Sequence, residues 1–191
     1  MKTSPTATLS RRDAILHAAL ELFAQQSFAA TPVPMIAERA GVGTGTIYRY
    51  WSGKEELVND LYRFCKRALA AYLDIPPHLS ARQTFGAWWQ HLLAFAEENP
   101  DAFEFLEAHK HQPYLDRKSL ALDAKLQAVA VRIIKDWQDQ GAISDLEPTA
   151  LLTLAHGAFV GLRKAMAAGH LNLSDDLITA AEEQVWKLFE R

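Results

Sequence analysis

A chain of 191 residues with 49% hydrophobic and 23% charged side chains can bury a substantial core, as one large domain or as a small one joined to a medium one. Its one cysteine, Cys65, excludes an internal disulfide, no apolar run approaches the roughly 18 residues of a membrane helix, and the polar start MKTSPTATLSRRD lacks an apolar signal core; the expectation is a cytoplasmic protein without a cofactor. The net charge of −3 is unevenly placed: residues 1–54 carry six Lys/Arg against three acids and the remaining 137 carry 14 against 20, so one end is suited to a polyanion.

Helical periodicity governs the chain after residue 10, and no run alternates as a strand would. Residues 10–26 begin at a candidate Ser10 cap and set Ile15, Ala18, Ala19, Leu22 and Phe23 on one face. In TPVPMIAERAG, Thr31 is positioned to cap and Pro32 suits the first helical position. Pro34 falls where amide hydrogens have no intrahelical partner, and Gly41 ends the helix. A longer helix over 52–73 carries Leu57, Leu61, Phe64, Ala68 and Tyr72 as a stripe, and DIPPHLS (74–80) breaks it. Further helices are expected at 80–98, 100–111, 114–140, 147–168 and 174–190. Asn99-Pro100, Gln112-Pro113, Gly141, Glu147-Pro148 and Gly169 punctuate them. The fold class is all-α, with about nine helices.

The stretch GVGTGTIYRYW (41–51) asks what its glycines do. A dinucleotide loop needs a third glycine where Thr46 stands and a strand before it. A Walker loop needs Gly-Lys-Ser/Thr, which is absent. A helix-turn-helix fits instead: Ala37 and Ala40 are small where two helices approach, and Val42 and Ile47 plug the turn into the core. Gly45 and Thr46 then open a second helix toward a base. Tyr48, Arg49, Tyr50 and Lys54 supply hydroxyls and cations for phosphate. Arg11 and Arg12 suit either a phosphate track or plain surface.

From about Asp13 to Leu57 the chain resembles the DNA-binding domain of the TetR family of bacterial transcriptional regulators. The residues carrying the resemblance are Leu22-Phe23, Thr31, Ile36-Ala37, Ala40-Gly41-Val42, Gly45-Thr46, Tyr48 and Lys54-Glu55-Glu56-Leu57. The pattern departs at Ser27, Met35 and Gly43-Thr44, where glycine, a polar residue and Ser-Lys are usual, and Trp51 replaces phenylalanine. The resemblance implies a DNA-binding head over residues 1–54, a connecting helix over 52–73, and a C-terminal effector-binding and dimerisation domain over 55–191. It assigns Thr31, Tyr48, Tyr50 and Lys54 to phosphates, and Thr44, Gly45, Thr46 and Arg49 to bases or their neighbourhood.

Two protomers on a pseudo-palindromic double-stranded operator are implied as well. On the helix over 148–168, Leu154, Ala158, Gly161, Leu162 and Ala165 are candidates for the dimer interface, joined by Ala181 and Val185 from the last helix. An effector pocket for a small hydrophobic or aromatic molecule has as candidates Trp88, Trp89, His91, Phe95, Phe103, Leu106, His109, Tyr114, Leu126 and Trp137. Aromatic stripes at helical spacing also make ordinary core. His109 and His111, two residues apart on a helix, point about 200° apart and so do not make a metal site. No nucleophile–base constellation is present, so no enzyme is expected. The reading is a dimeric repressor that leaves its operator when an effector binds; the alternatives are a regulator without an effector and a protein-interaction module.

Overall fold

Ser10 opens the first helix by accepting the Asp13 amide on its hydroxyl, at 3.2 Å. A computed structural model describes residues 10–172 and 174–191; the polar start of the chain lies outside the described residues. Helices α1 (Arg11–Gln25), α2 (Val33–Arg39), α3 (Thr44–Ile47) and α4 (Lys54–Tyr72) are followed by α5 (Ala81–Glu98), α6 (Pro100–His109), α7 (Arg117–Asp139), α8 (Pro148–Ala167) and α9 (Asp175–Trp186). The described residues are thus all-helical, as the periodicity indicates. The chain forms two compact units: residues up to Tyr72 together with Ala94–Leu122, and Leu73–Leu93 together with Asp123–Arg191.

Most helix ends follow the local chemistry, though Asn99 ahead of α6 makes no side-chain cap bond and α2 departs from its expected cap. Gly41 takes φ 65°, letting Val42 N–H reach the Ala37 carbonyl at 2.9 Å and closing α2 with a reciprocal pair of end bonds. Gly141 and Gly169 close α7 and α8 in the same way. Ser174 and Glu147 cap α9 and α8 through their side chains. The cap of α2 is Pro32, and the expected cap Thr31 is fully buried, with its hydroxyl turned back to donate to the Ser27 carbonyl at 3.1 Å.

In the first unit, Ile15, Leu22 and Phe23 of α1 pack with Leu57, Leu61 and Tyr62 of α4 and Phe105 of α6, all essentially without exposed surface. Phe105 is the hub: its ring lies 6.1 Å from Phe23, 6.5 Å from Tyr62 and 4.2 Å from His109. Cys65 belongs to the same core, and burial pushes its thiol up to about 12. It is a packing residue, not a sensor. A maleimide or disulfide reagent at pH 8 is expected to leave Cys65 unmodified in the native protein and to label it only on unfolding; stoichiometric native labelling overturns this.

The second unit is built on an aromatic cluster. Phe85 sits 5.1 Å from Phe189 and 5.4 Å from Trp186, and Trp89 meets Phe159 edge-on at 5.3 Å. A polar clasp joins α5 to α9: Arg82 bonds Glu182 at 2.6 Å while its guanidinium lies over Trp186. Gly86 is small because Glu182 passes there, 3.1 Å from where a Cβ would stand.

Candidate nucleic-acid interface

The sequence between Ala30 and Gly53 folds as a helix, a glycine turn and a second, very short helix. Ile36, Ala37 and Ile47, all nearly without exposed surface, seat α3 on α2. Trp51 is buried where phenylalanine is more usual. Its indole N–H donates to Asp60 on α4 at 2.9 Å, a carboxylate also held by Arg12. The segment from Thr44 to Trp51 is therefore tied at one end by an apolar plug and at the other by a buried, hydrogen-bonded ring.

Between Ile47 and Trp51 the side chains face outward, and those ahead of Ile47 are partly covered. Tyr48 is 54% and Tyr50 44% exposed, Arg49 is exposed, and Thr44 and Thr46 are half-buried. Arg49 donates to the Thr46 hydroxyl at 3.4 Å and has no acidic partner among the described residues. Most other cations of the head are already engaged: Arg12 with Asp60, Arg39 with Glu21 at 2.8 Å, and Lys54 with the Phe28 carbonyl at 2.7 Å. Arg11 and Arg49 are left as exposed charges without an acidic partner among the described residues.

Gly45 is informative for what it lacks. Its backbone is helical, and a Cβ built there would meet nothing within 4 Å. Packing within the chain therefore does not demand glycine at this position. Gly43, which precedes α3 as its cap, is equally open and makes no side-chain cap bond.

Two of the expected DNA contacts change character. Thr31 has no surface to offer a phosphate, because its hydroxyl completes the turn after α1. Lys54 places its ammonium 4.2 Å from the centre of the Phe28 ring as well as on the Phe28 carbonyl, so it fastens α4 to the α1–α2 turn. Thr44, Gly45, Thr46, Tyr48, Arg49 and Tyr50 come together on one segment.

The ten pocket candidates divide between the units. Phe95, Phe103, Leu106 and His109 are buried in the first, with Tyr114 half-buried beside His109. Trp88, Trp89, His91, Leu126 and Trp137 belong to the second. His109 is a core histidine: Tyr114 Oη lies 2.7 Å from its Nδ1, Phe105 lies 4.2 Å from its ring centre and Phe23 meets it edge-on. Burial holds its pKa below the ordinary 6.5, against the raising effect of a hydrogen bond that its ring donates to the Phe23 carbonyl. Only Trp89 of the ten lines the apolar cleft of the second unit, beside Leu93, Phe159, Leu162, Met166 and Ile178. About 20 Å³ there is open to the centre of a water-sized sphere, room for one or two waters. Packing and a pocket wall share one helical spacing, so the pattern alone does not separate them.

The dimer candidates also separate. Leu154 is 48% exposed and Gly161 is exposed, with Ala158 and Ala165 half-buried along the same side of α8. Gly157, which is not among the candidates, is exposed on that side too, and neither glycine has an atom of another element within 4 Å of a built Cβ. Val185 is buried in its own protomer, and Leu162 and Ala181 line the apolar cleft. Those three face inward.

A glycine-turned pair of short helices presenting threonine, tyrosine and arginine, ahead of an all-helical body, is the architecture of a helix-turn-helix regulator. Residues 15–61 match the model for bacterial regulatory proteins of the tetR family, and residues 55–190 match that for the tetracyclin repressor-like C-terminal domain. The chain belongs to the TetR family of DNA-binding transcriptional regulators.

It is 40% identical over 67 residues, 35% of its length, to the HTH-type transcriptional repressor KstR2 of Mycobacterium tuberculosis. It is 36% identical over 70 residues to the HTH-type transcriptional regulator HbdR of Aromatoleum. These matches span only about a third of the curated relatives, 34% of the first and 29% of the second. Likeness to solved structures runs through nearly the whole chain. A putative TetR-family regulator from Vibrio parahaemolyticus is 26% identical with a TM-score of 0.79, over 95% of this chain and 100% of that one. A TetR-family regulator from Marinobacter aquaeolei shares the fold at a TM-score of 0.85 and 23% identity, over 95% and 96% of the two chains.

Proposed function

We propose that this chain is a homodimeric repressor that reads a pseudo-palindromic duplex with Thr44, Gly45, Thr46, Tyr48, Arg49 and Tyr50. Arg11, exposed at the start of α1, adds a phosphate contact at the flank. The observation that carries the reading is the 44–50 segment itself: outward side chains at Tyr48, Arg49 and Tyr50, an exposed arginine with no acidic partner among the described residues, and a glycine that packing within the chain does not demand. Dimerisation runs through the outer side of α8, where Leu154, Gly157, Ala158, Gly161 and Ala165 form an apolar strip with room for a second helix. A small hydrophobic effector releases the protein by opening the apolar space beside Trp89 and Phe159, which holds no more than a water or two as it stands.

The test is selection from a random-sequence duplex pool, which should enrich an inverted repeat bound in a salt-dependent way. Gly45→Ala is the sharpest variant. It replaces a glycine in the first turn of α3 by a residue of higher helix propensity, and the added methyl meets nothing within 4 Å. Thermal stability should therefore hold or rise while affinity for the selected duplex falls. Wild-type affinity in Gly45→Ala, or no duplex enriched at all, overturns the assignment.

A further inference from the structure

The loop between α6 and α7, residues 110–116, is held from two sides within the first unit. On one side stands Asn59 of α4, 2% exposed, with its carboxamide fully used. It donates to the Glu55 carbonyl of its own helix at 2.8 Å and to the Tyr114 carbonyl at 2.7 Å, and accepts the Asp116 amide at 2.8 Å. One turn further on, Arg63 bonds Asp116 and the buried Ser119, each at 3.0 Å. A side chain spanning two backbone groups of another segment fixes that segment's register as well as its distance.

On the other side the loop bears on the head. The Tyr114 ring stacks on Phe28 with centroids 4.2 Å apart and planes within 20°. Phe28 lies in the turn after α1, and both its ring and its carbonyl hold the Lys54 ammonium. Lys54 begins α4 three residues after Trp51, where the recognition segment ends. The loop itself is strained: His111 has φ 64°, a left-handed backbone at a residue with a Cβ. From Arg117 the chain runs on as α7, whose residues from Asp123 belong to the second unit.

We propose that loop 110–116 is a latch on the DNA-binding head, fastened to α4 by Asn59 and pressed on Phe28 by Tyr114, so that Tyr114, Phe28 and Asn59 are positioning residues for the recognition segment. The inference rests on the reading of residues 44–50 as the DNA-contacting segment. With the latch seated, Phe28 keeps Lys54 in place and the chain leaving α3 is anchored at Ser52–Lys54. Drawing the loop back along α7 removes the ring from Phe28 and loosens the turn after α1.

The experiment compares Tyr114→Ala, Tyr114→Phe, Phe28→Ala and the double alanine variant by amide hydrogen exchange and by affinity for a duplex selected by the wild-type protein. Tyr114→Ala should lose exchange protection over residues 26–32 and 48–56 and weaken duplex binding about tenfold, within the usual span of coupled elements. Tyr114→Phe keeps the stack and should bind as wild type. The double variant should lose less affinity than the two single losses sum to, since both remove the shared stack while each also loses a contact of its own, Phe28 with Lys54 and Tyr114 with His109. Protection unchanged in Tyr114→Ala, loss spread evenly through the chain, or additive losses in the double variant overturns the latch. If Tyr114→Ala does not fold, Phe28→Ala, on a half-buried ring, carries the same comparison. Failure to enrich any duplex counts against the DNA-contacting segment, and the exchange pattern still decides the latch.

Discussion

Replacing Gly161 with glutamate is expected to leave a folded protein that no longer pairs. The position lies in the interior of α8, exposed, with no atom of another element within 4 Å of a built Cβ. Helix propensity favours glutamate over glycine there by several tenths of a kcal/mol, so the protomer keeps or gains stability. In a two-fold arrangement through this strip, each new carboxylate meets the partner's strip, and both charges lose water together without a counterion. Sedimentation should then show a monomer, with a melting temperature set by the protomer alone. Duplex affinity should fall by about 10²–10⁴, the gain that joining two half-site readers supplies. Gly161→Ala is the control: a methyl group that strengthens the helix and still permits a close crossing. A dimer that survives Gly161→Glu places the interface elsewhere.

The contrast between Gly161 and Val185 shows what the sequence could and could not tell. Both lie on apolar helices near the C-terminus, and apolar spacing marks them equally. Only the fold shows that Val185 is spent on its own core while Gly161 faces out. The same limit governs the aromatic residues. Phe103, Leu106 and His109 have the spacing of a pocket wall, yet they are core, because Phe23 arrives from a helix some 80 positions away. Signals that live within one turn of backbone were readable: Ser10 as a cap, Gly41 as a left-handed stop, Pro100 and Pro148 at helix starts. Thr31 shows where even those mislead. A threonine ahead of proline is a good cap by local chemistry, and here the turn after α1 claims its hydroxyl first. Lys54 shows the long-range counterpart, since its partner carbonyl stands 26 residues earlier. The helix-turn-helix was legible because its motif is local, from Gly41 through Trp51.

Truncating Phe105 to alanine should be the most damaging single change to stability. The ring has no exposed surface and fills the space among Phe23, Tyr62 and His109, so its loss leaves a cavity between α1, α4 and α6. Such truncations cost about 3–5 kcal/mol, a large part of the roughly 5–15 kcal/mol that holds a protein of this kind folded. At about 2–4 °C per kcal/mol for a chain of this size, the melting temperature should drop by roughly 6–20 °C. The acid limb carries a second signature. Burial holds the His109 pKa below 6.5 in the folded protein, so the unfolded chain takes up the proton first. The wild type therefore keeps this contribution in full above about pH 6.5 and loses it as pH falls from there through the lowered folded value. With Phe105 gone, water reaches His109, its pKa returns toward 6.5, and that slope flattens. Chemical denaturation from pH 5 to 8 should show Phe105→Ala below the wild type throughout, with the gap narrowing toward acid. Parallel curves would mean that His109 stays dry without Phe105; a loss under about 1 kcal/mol would mean that the core closes over the vacancy.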